Sequence, residues 1–168
     1  MMENGVVEMQ LVGVRVELPT NQPIVLLRER SGERFLPIFI GPVEATAIAF
    51  ALQGIVTQRP MTHDLLKSIL ETTGISVDRI IITELREATF FAQIELSKNG
   101  ETFSVSSRPS DAIALAVRGS VPLFASPDVL SEAGIVIRDE DEEQEVQRFR
   151  EFIENVTPED FAKGETGL

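Results

Sequence analysis

The chain has no cysteine, no tryptophan, no tyrosine and a single histidine, His63. Without cysteine there is no disulfide, no zinc-thiolate site and no cysteine nucleophile. Without tryptophan and tyrosine, any stacking of nucleic-acid bases falls to phenylalanine alone, and no basic run interleaves with aromatics to form a nucleic-acid platform. One histidine is too few for the phosphohydrolase sites that build on several, and zincin spacing is missing. So are a phosphate-cradling glycine loop with lysine and a nucleophile elbow. No stretch approaches the roughly 20 apolar residues of a membrane-spanning helix. The N-terminus carries an early acid and alternating apolar residues, where an export signal would show a basic patch and a long apolar run. The expectation is a cytoplasmic protein without a membrane partner, and a reducing compartment fits the lack of cysteine.

What is present suits one globular domain. At 168 residues, 43% hydrophobic and 25% charged, the chain is long enough for a true core, and a second full domain would be cramped. The net charge of −12 is uneven: residues 139–168 hold 11 of the 27 acids but 3 of the 15 bases, which leaves −4 for residues 1–138 and −8 for the tail. An acidic protein repels nucleic acid at long range, so phosphate binding here requires a local basic cluster.

Along the chain, "VVEMQLVGVRVEL" alternates Val7, Met9 and Leu11, then Val12, Val14, Val16 and Leu18, with a phase change near Gly13 that predicts a bulge. "QPIVLLRERSGERFLPIFI" predicts a hairpin turning at Ser31-Gly32. "GPVEATAIAFALQG" then has proline, acid and closing glycine in the order of a helix from Pro42 to before Gly54, apolar nearly all round and therefore buried. Pro60 to Thr73 predicts a second, amphipathic helix, with Leu65, Leu66, Ile69 and Leu70 inward and Asp64, Lys67 and Glu71 outward. Three more strands follow, with a tight hairpin at Asn99-Gly100. After them come a helix from Pro109 to Arg118, a short strand at Val121 to Ala125 and a helical turn from Asp128 to Glu132.

Two segments repeat one order of events: strand, proline, one residue, acid, Ala-rich helix. Pro42 and Pro109, Glu44 and Asp111, Ala45 and Ala112, and Ala47 and Ala114 match at one offset, and Gly32 and Gly100 match within one residue of it. This predicts an internal duplication of a strand–strand–helix unit in an α+β fold of mainly antiparallel strands packed with Ala-rich helices. The boundaries are a domain at 1–138, an acidic linker at 139–145 ("DEDEEQE"), and a short amphipathic helix and tail at 146–168. On that helix Val146, Phe149, Ile153 and Val156 share one face that needs a partner surface.

Two stretches open on Arg-Pro: "RPMTHDLL" from Arg59 and "RPSDAIAL" from Arg108. First-turn acids such as Glu44 and Asp111 cap helix amides and suit the helix dipole. Alternatively, an Arg-Pro corner exposes helix N-terminal amides beside Arg108 and Ser110, which together hold a phosphate. His63 is either a packed or capping side chain or a proton-transfer group, since imidazole titrates near neutrality. Adjacent helix residues diverge by about 100°, so His63 and Asp64 serve different partners. Any metal site would be carboxylate-rich and suited to Mg²⁺ or Mn²⁺.

With "NQPIVLLRE", "LPIFIGPVEA" and "VPLFAS", in this order, the two Arg-Pro motifs make the chain resemble the bifunctional nuclease domain family over about Val6 to Ile137. The resemblance implies hydrolysis of both RNA and DNA, and a compact α+β domain that forms homodimers or higher homo-oligomers. The polar residues that fall on the family's recurrent motifs are Arg59, His63, Asp64, Arg108, Ser110 and Asp111, with Glu44 in the first copy. In a metal-assisted reading, Arg59, Arg108 and Ser110 hold phosphate, and His63 transfers a proton. Asp64 and Asp111, with Glu44, bind Mg²⁺ or Mn²⁺ or activate water. Some family members add a small helical module related to nucleotide-excision repair proteins, and here an acidic linker and short helix stand instead. The competing reading is a non-enzymatic oligomeric domain that binds a small anionic ligand or a protein partner through structural Arg-Pro corners.

Overall fold

The computed structural model describes residues 2–3, 5–137, 144 and 146–151. Among them nine strands form one sheet: β1 (Met2–Glu3), β2 (Val6–Glu17), β3 (Gln22–Glu29), β4 (Arg34–Phe39), β5 (Ser76–Arg86), β6 (Thr89–Lys98), β7 (Glu101–Ser107), β8 (Leu123–Ala125) and β9 (Ile135–Val136). Four helices accompany them: α1 (Pro42–Leu52), α2 (Thr62–Thr72), α3 (Pro109–Gly119) and α4 (Pro127–Ala133). The strand order is β7-β6-β5-β8-β2-β3-β4-β9, with β1 paired to β2. All pairings are antiparallel except that of β5 with β8. The fold is therefore α+β, as the alternating strands and Ala-rich helices require.

The duplication is visible in the topology. Two three-stranded meanders, β2-β3-β4 and β5-β6-β7, run outward from β8, and each outermost strand feeds an Ala-rich helix. The repeated unit is thus three strands and a helix, one strand more than the sequence match covers. The separation that carries Pro42 to Pro109 also carries Asn21 to Ala88. Both sit in the first hairpin of their repeat with left-handed backbones, φ 58° and φ 63°. The bulge expected near Gly13 appears as a register shift between Leu11 and Gly13.

Helices α1, α3 and α4 share one core with the sheet. Val25, Leu27, Leu36 and Ile38 meet Ile48, Ile113, Leu115 and Leu130 there, all nearly or fully buried. Each such side chain contributes about 1.5–3 kcal/mol. Alanines at 45, 47, 49, 112, 114 and 116 keep the buried helix faces thin, so α1 and α3 pack as neighbours. On the opposite sheet face Leu26 and Phe35 bury Phe149 of helical residues 146–151, and Arg15 stacks on the Phe149 ring at 4.9 Å. That helical stretch therefore docks on its own domain. The rest of the acidic linker (139–143 and 145) and of the tail (152–168, including Ile153 and Val156) lies outside the described residues.

Three expectations need correction. Helix α2 begins at Thr62, capped by Met61, so Pro60 precedes the helix and does not open it. Its apolar stripe is also not the buried face: Leu65, Leu66 and Ile69 are exposed, Leu70 is partly buried, and His63 is the buried residue. Polar pairs to α3, described below, set the rotation of α2. Helix α1 buries Ala45, Ala47, Ile48 and Ala49 but leaves Val43 and Leu52 exposed, because α3 and the sheet cover only part of its circumference. No helix among the described residues is long and apolar enough to cross a membrane.

Candidate functional site

The site begins with two matched helix starts. Gly41 precedes Pro42 in α1, and Arg108 precedes Pro109 in α3, with no side-chain cap at either position. Proline at the first helical position loses only an amide that has no intrahelical partner, and its fixed φ suits the turn. Each helix then carries its acid two residues on, Glu44 and Asp111. Both acids meet one guanidinium: Arg108 lies 3.0 Å from Glu44 Oε1, and it reaches Asp111 Oδ2 through Nε at 2.9 Å and Nη2 at 2.8 Å. Gly41 has a steric reason, since a Cβ there would run into the Glu44 carboxylate.

The third member comes from α2. His63 Nε2 lies 3.0 Å from Asp111 Oδ1. Burial alone would push the Asp111 carboxyl up, but hydrogen bonds from His63 and Arg108 outweigh it and hold Asp111 below the ordinary carboxylate value. Asp111 is therefore ionised near neutrality, so Nε2 donates and Nδ1 carries the lone pair when the ring is neutral. Arg108 is held above its already high value, first by its hydrogen bond to Asp111. The result is a hydrogen-bonded chain, His63 to Asp111 to Arg108 to Glu44, that ties three helices together. Side-chain exposure rises along its first three members, from 10% at His63 through 30% at Asp111 to 64% at Arg108.

Asp64 belongs to a different cluster. Its Oδ2 accepts the Met61 backbone N–H at 3.0 Å, and its Oδ1 accepts Arg118 Nε at 2.6 Å. Arg118 is nearly buried and also donates to the carbonyls of Ala114 (2.7 Å) and Ala47 (3.0 Å), which links α3 to α1 and α2 at once. Burial raises the Asp64 carboxyl, and the hydrogen bonds from Arg118 and Met61 override it, leaving the pKa lowered. His63 and Asp64 do serve different partners, as adjacent positions on a helix must. Arg59 is exposed, and among the described residues its side chain makes no hydrogen bond or ion pair. The Arg59-Pro60 corner thus joins the site through His63 and not through its arginine.

These placements bear on metal binding. Both Asp111 oxygens are engaged by His63 and Arg108, Glu44 shares that guanidinium, and Asp64 faces Arg118. Among the described residues no three His, Asp or Glu side chains gather to hold a metal ion. Glu44, Asp64 and Asp111 do not fit Mg²⁺ or Mn²⁺ as a shared ligand set, since a protein cation already stands between the first and the last.

Beside the cluster opens a cavity of about 600 Å³, bounded by the starts of α1 and α3 and by the first hairpin of each repeat. Gly41, Pro42, Arg108, Ser110, Phe39 and Phe90 are among its lining residues. Among the described residues no carboxylate lines it, and Arg108 is its one cation. Ser110 is buried, yet its hydroxyl has no hydrogen-bond partner among the described residues. Arg118, Phe39 and Phe90 were not singled out by sequence reasoning. For Arg118 a signal exists: a lone cation ending an Ala-rich apolar helix, where it meets the final carbonyls. For the two phenylalanines there is none, because their meeting depends on two distant hairpins.

Residues 25–138 match the model of a family described as the bifunctional nuclease domain. An uncharacterized protein of Mycobacterium tuberculosis is 44% identical over 162 residues, spanning 92% of this chain and 97% of its own. Bifunctional nuclease 1 of Oryza sativa subsp. japonica is 30% identical over 117 residues, 68% of this chain and 35% of its own. Bifunctional nuclease 1 of Arabidopsis thaliana is 32% identical over 103 residues, 60% and 32% respectively. The chain spans about a third of the length of these plant relatives.

Proposed function

The chain belongs to the bifunctional nuclease domain family, and from that premise we propose that it hydrolyses phosphodiester bonds of RNA and DNA at the Arg108–Ser110 corner. One observation carries the reading: Arg108 lines a carboxylate-free cavity and is also bonded to the His63–Asp111 pair. Arg108 and the first amides of α3 receive the phosphate, a geometry that combines a guanidinium fork with the positive end of a helix. Ser110 donates its free hydroxyl. Asp111, kept ionised and oriented by His63 and Arg108, accepts a hydrogen bond from the attacking water and aims its oxygen at phosphorus. As the new P–O bond forms, the bond to the leaving oxygen breaks, the water proton passes to solvent, and the leaving oxygen takes up a proton from solvent. His63 lies behind Asp111, so it acts as a positioning residue. Asp64 holds α2 in place through Arg118. No step is routed through a metal.

Full pairing of the chain from His63 to Glu44 also favours a second reading, in which it is a structural clamp in a non-enzymatic binding domain. Hydrolysis of labelled RNA and single-stranded DNA by highly purified protein separates the two, run in EDTA and again with Mg²⁺ or Mn²⁺. The nuclease reading expects turnover that falls at least about 100-fold in folded Arg108→Ala and Asp111→Asn variants. A parent protein without turnover under every condition overturns it.

A further inference from the structure

We propose that the 600 Å³ cavity is the seat of one unpaired nucleotide of a single strand, with its phosphate at Arg108 and Ser110 and its base against Phe39 and Phe90. This deepens the phosphodiester reading and rests on it. The first argument is charge. In a protein of net charge −12, the fifteen residues that line the cavity include, among the described residues, no acid and one cation, Arg108, whose side chain stays 64% exposed while paired with Glu44 and Asp111, so an anionic group entering there meets a guanidinium and no carboxylate of the lining. The second is Ser110 at the start of α3, an eleven-residue helix: the residue is buried, and its unpartnered hydroxyl belongs to the cavity lining together with the start of the eleven-residue α1. A hydroxyl that faces a cavity without a protein partner is free to donate to a ligand oxygen.

The third argument is the pair of rings. Phe39 is 58% exposed on β4 between the buried Ile38 and Ile40, and Phe90 comes from β6 of the other repeat. In a chain without tryptophan or tyrosine, these two rings are the stacking surface beside the phosphate corner. The volume lies within the roughly 300–1,000 Å³ of small-ligand sites, so it admits a base and sugar only when the base is out of a duplex. Charge again favours the single strand. A duplex carries one phosphate per about 1.7 Å and a single strand one per about 3.4 Å, and a single arginine offsets little of the repulsion from an acidic protein.

The absence of native tryptophan supplies the test. A Phe39→Trp variant places one indole at the proposed base position. Titration with an eight-residue oligodeoxyadenylate should quench its emission, at strand concentrations at least tenfold below those needed with the matching duplex. Excess inorganic phosphate should reverse the quenching. Ser110→Ala, a smaller change than any at Arg108, should weaken the titration. Phe39→Ala, read by anisotropy of labelled strand, should bind at least about fivefold more weakly than the parent. Because one cation meets the phosphate, the salt dependence should be shallow, with a log–log slope near −0.7. Folded Phe39→Trp protein that shows no quenching, or equal binding of strand and duplex, overturns the assignment. A strand that quenches but is never cut sustains the cavity assignment and overturns the nuclease reading. Cutting that is indifferent to Phe39 overturns the cavity assignment alone.

Discussion

His63 and Asp111, 48 residues apart in the chain, are joined Nε2 to Oδ1 at 3.0 Å, and the histidine is the more buried of the two. Where a histidine faces the substrate with a carboxylate behind it, the imidazole moves the proton. Here the carboxylate is the more exposed of the two, and in the proposed site the imidazole steadies it.

Replacement of His63 should therefore act through geometry. His63→Ala frees one Asp111 oxygen and opens a small void, which costs about 1–3 kcal/mol of stability. Turnover should fall about 10- to 100-fold as Asp111 loses its orientation. His63→Gln places an amide N–H near the Nε2 position and should recover much of the loss. Turnover and thermal melting of both variants check this, and a glutamine variant as inactive as alanine would point to proton transfer by the ring.

Arg108 bridges Glu44 and Asp111, its Nη2 reaching both carboxylates and its Nε adding a second bond to Asp111, a task for a planar fork. Lysine keeps the charge and loses the bridge. Arg108→Lys should lower kcat/KM at least about tenfold while leaving the melting temperature nearly unchanged, because the side chain is mostly exposed. Steady-state kinetics beside calorimetry would show whether charge alone suffices.

The Asp64–Arg118 pair should govern stability. Arg118→Met leaves Asp64 without its guanidinium and removes a second hydrogen bond from two helix carbonyls, at a cost of about 2–4 kcal/mol, moderated by the partial exposure of Asp64. Denaturant unfolding reads this directly.

Acid should weaken the fold in a defined direction. Asp64 and Asp111 are held below their ordinary value of 3.8. Glu29 is held below 4.5, first by its hydrogen bond from Arg34. Carboxyls depressed in the folded state contribute stability that is complete above the unfolded values and disappears as pH falls through the lower folded ones. Melting temperature should hold from neutrality to about pH 5 and then drop, and Asp64→Asn should flatten that drop. A drop of equal depth in the asparagine variant would remove Asp64 from the account.

Phe149 closes a small cluster with Leu26 and Phe35 on the sheet face opposite the main helical core. Phe149→Ala should cost about 2–4 kcal/mol and leave kcat/KM within about twofold of the parent, since no residue lining the cavity belongs to that cluster. Differential scanning calorimetry and kinetics on the same sample test both halves.

Sequence patterning located the elements of the fold closely. The bulge at Gly13, the Asn99-Gly100 hairpin and the helix starting at Pro109 all stand where local chemistry places them. It was less informative about α2. Periodicity points Leu65, Leu66 and Ile69 inward, whereas the two polar pairs to α3 turn that stripe to solvent. Periodicity weighs apolar residues only, and His63–Asp111 and Asp64–Arg118 are contacts across some fifty residues that no local pattern contains.

By itself the sequence determined the α+β class, the repeat and its two matched helix starts, because strand alternation, proline geometry and first-turn acids act within a few residues of each other. It also determined that any phosphate site must be local, since the chain as a whole repels phosphate. Only the tertiary structure decided which acid meets which base. Glu44 and Asp111 look equivalent along the chain, yet Asp111 alone receives His63, and Asp64, beside that histidine, turns to Arg118. The reason is geometric. Successive helix positions point about 100° apart, so the packing of α2 against α3 assigns each side chain its partner.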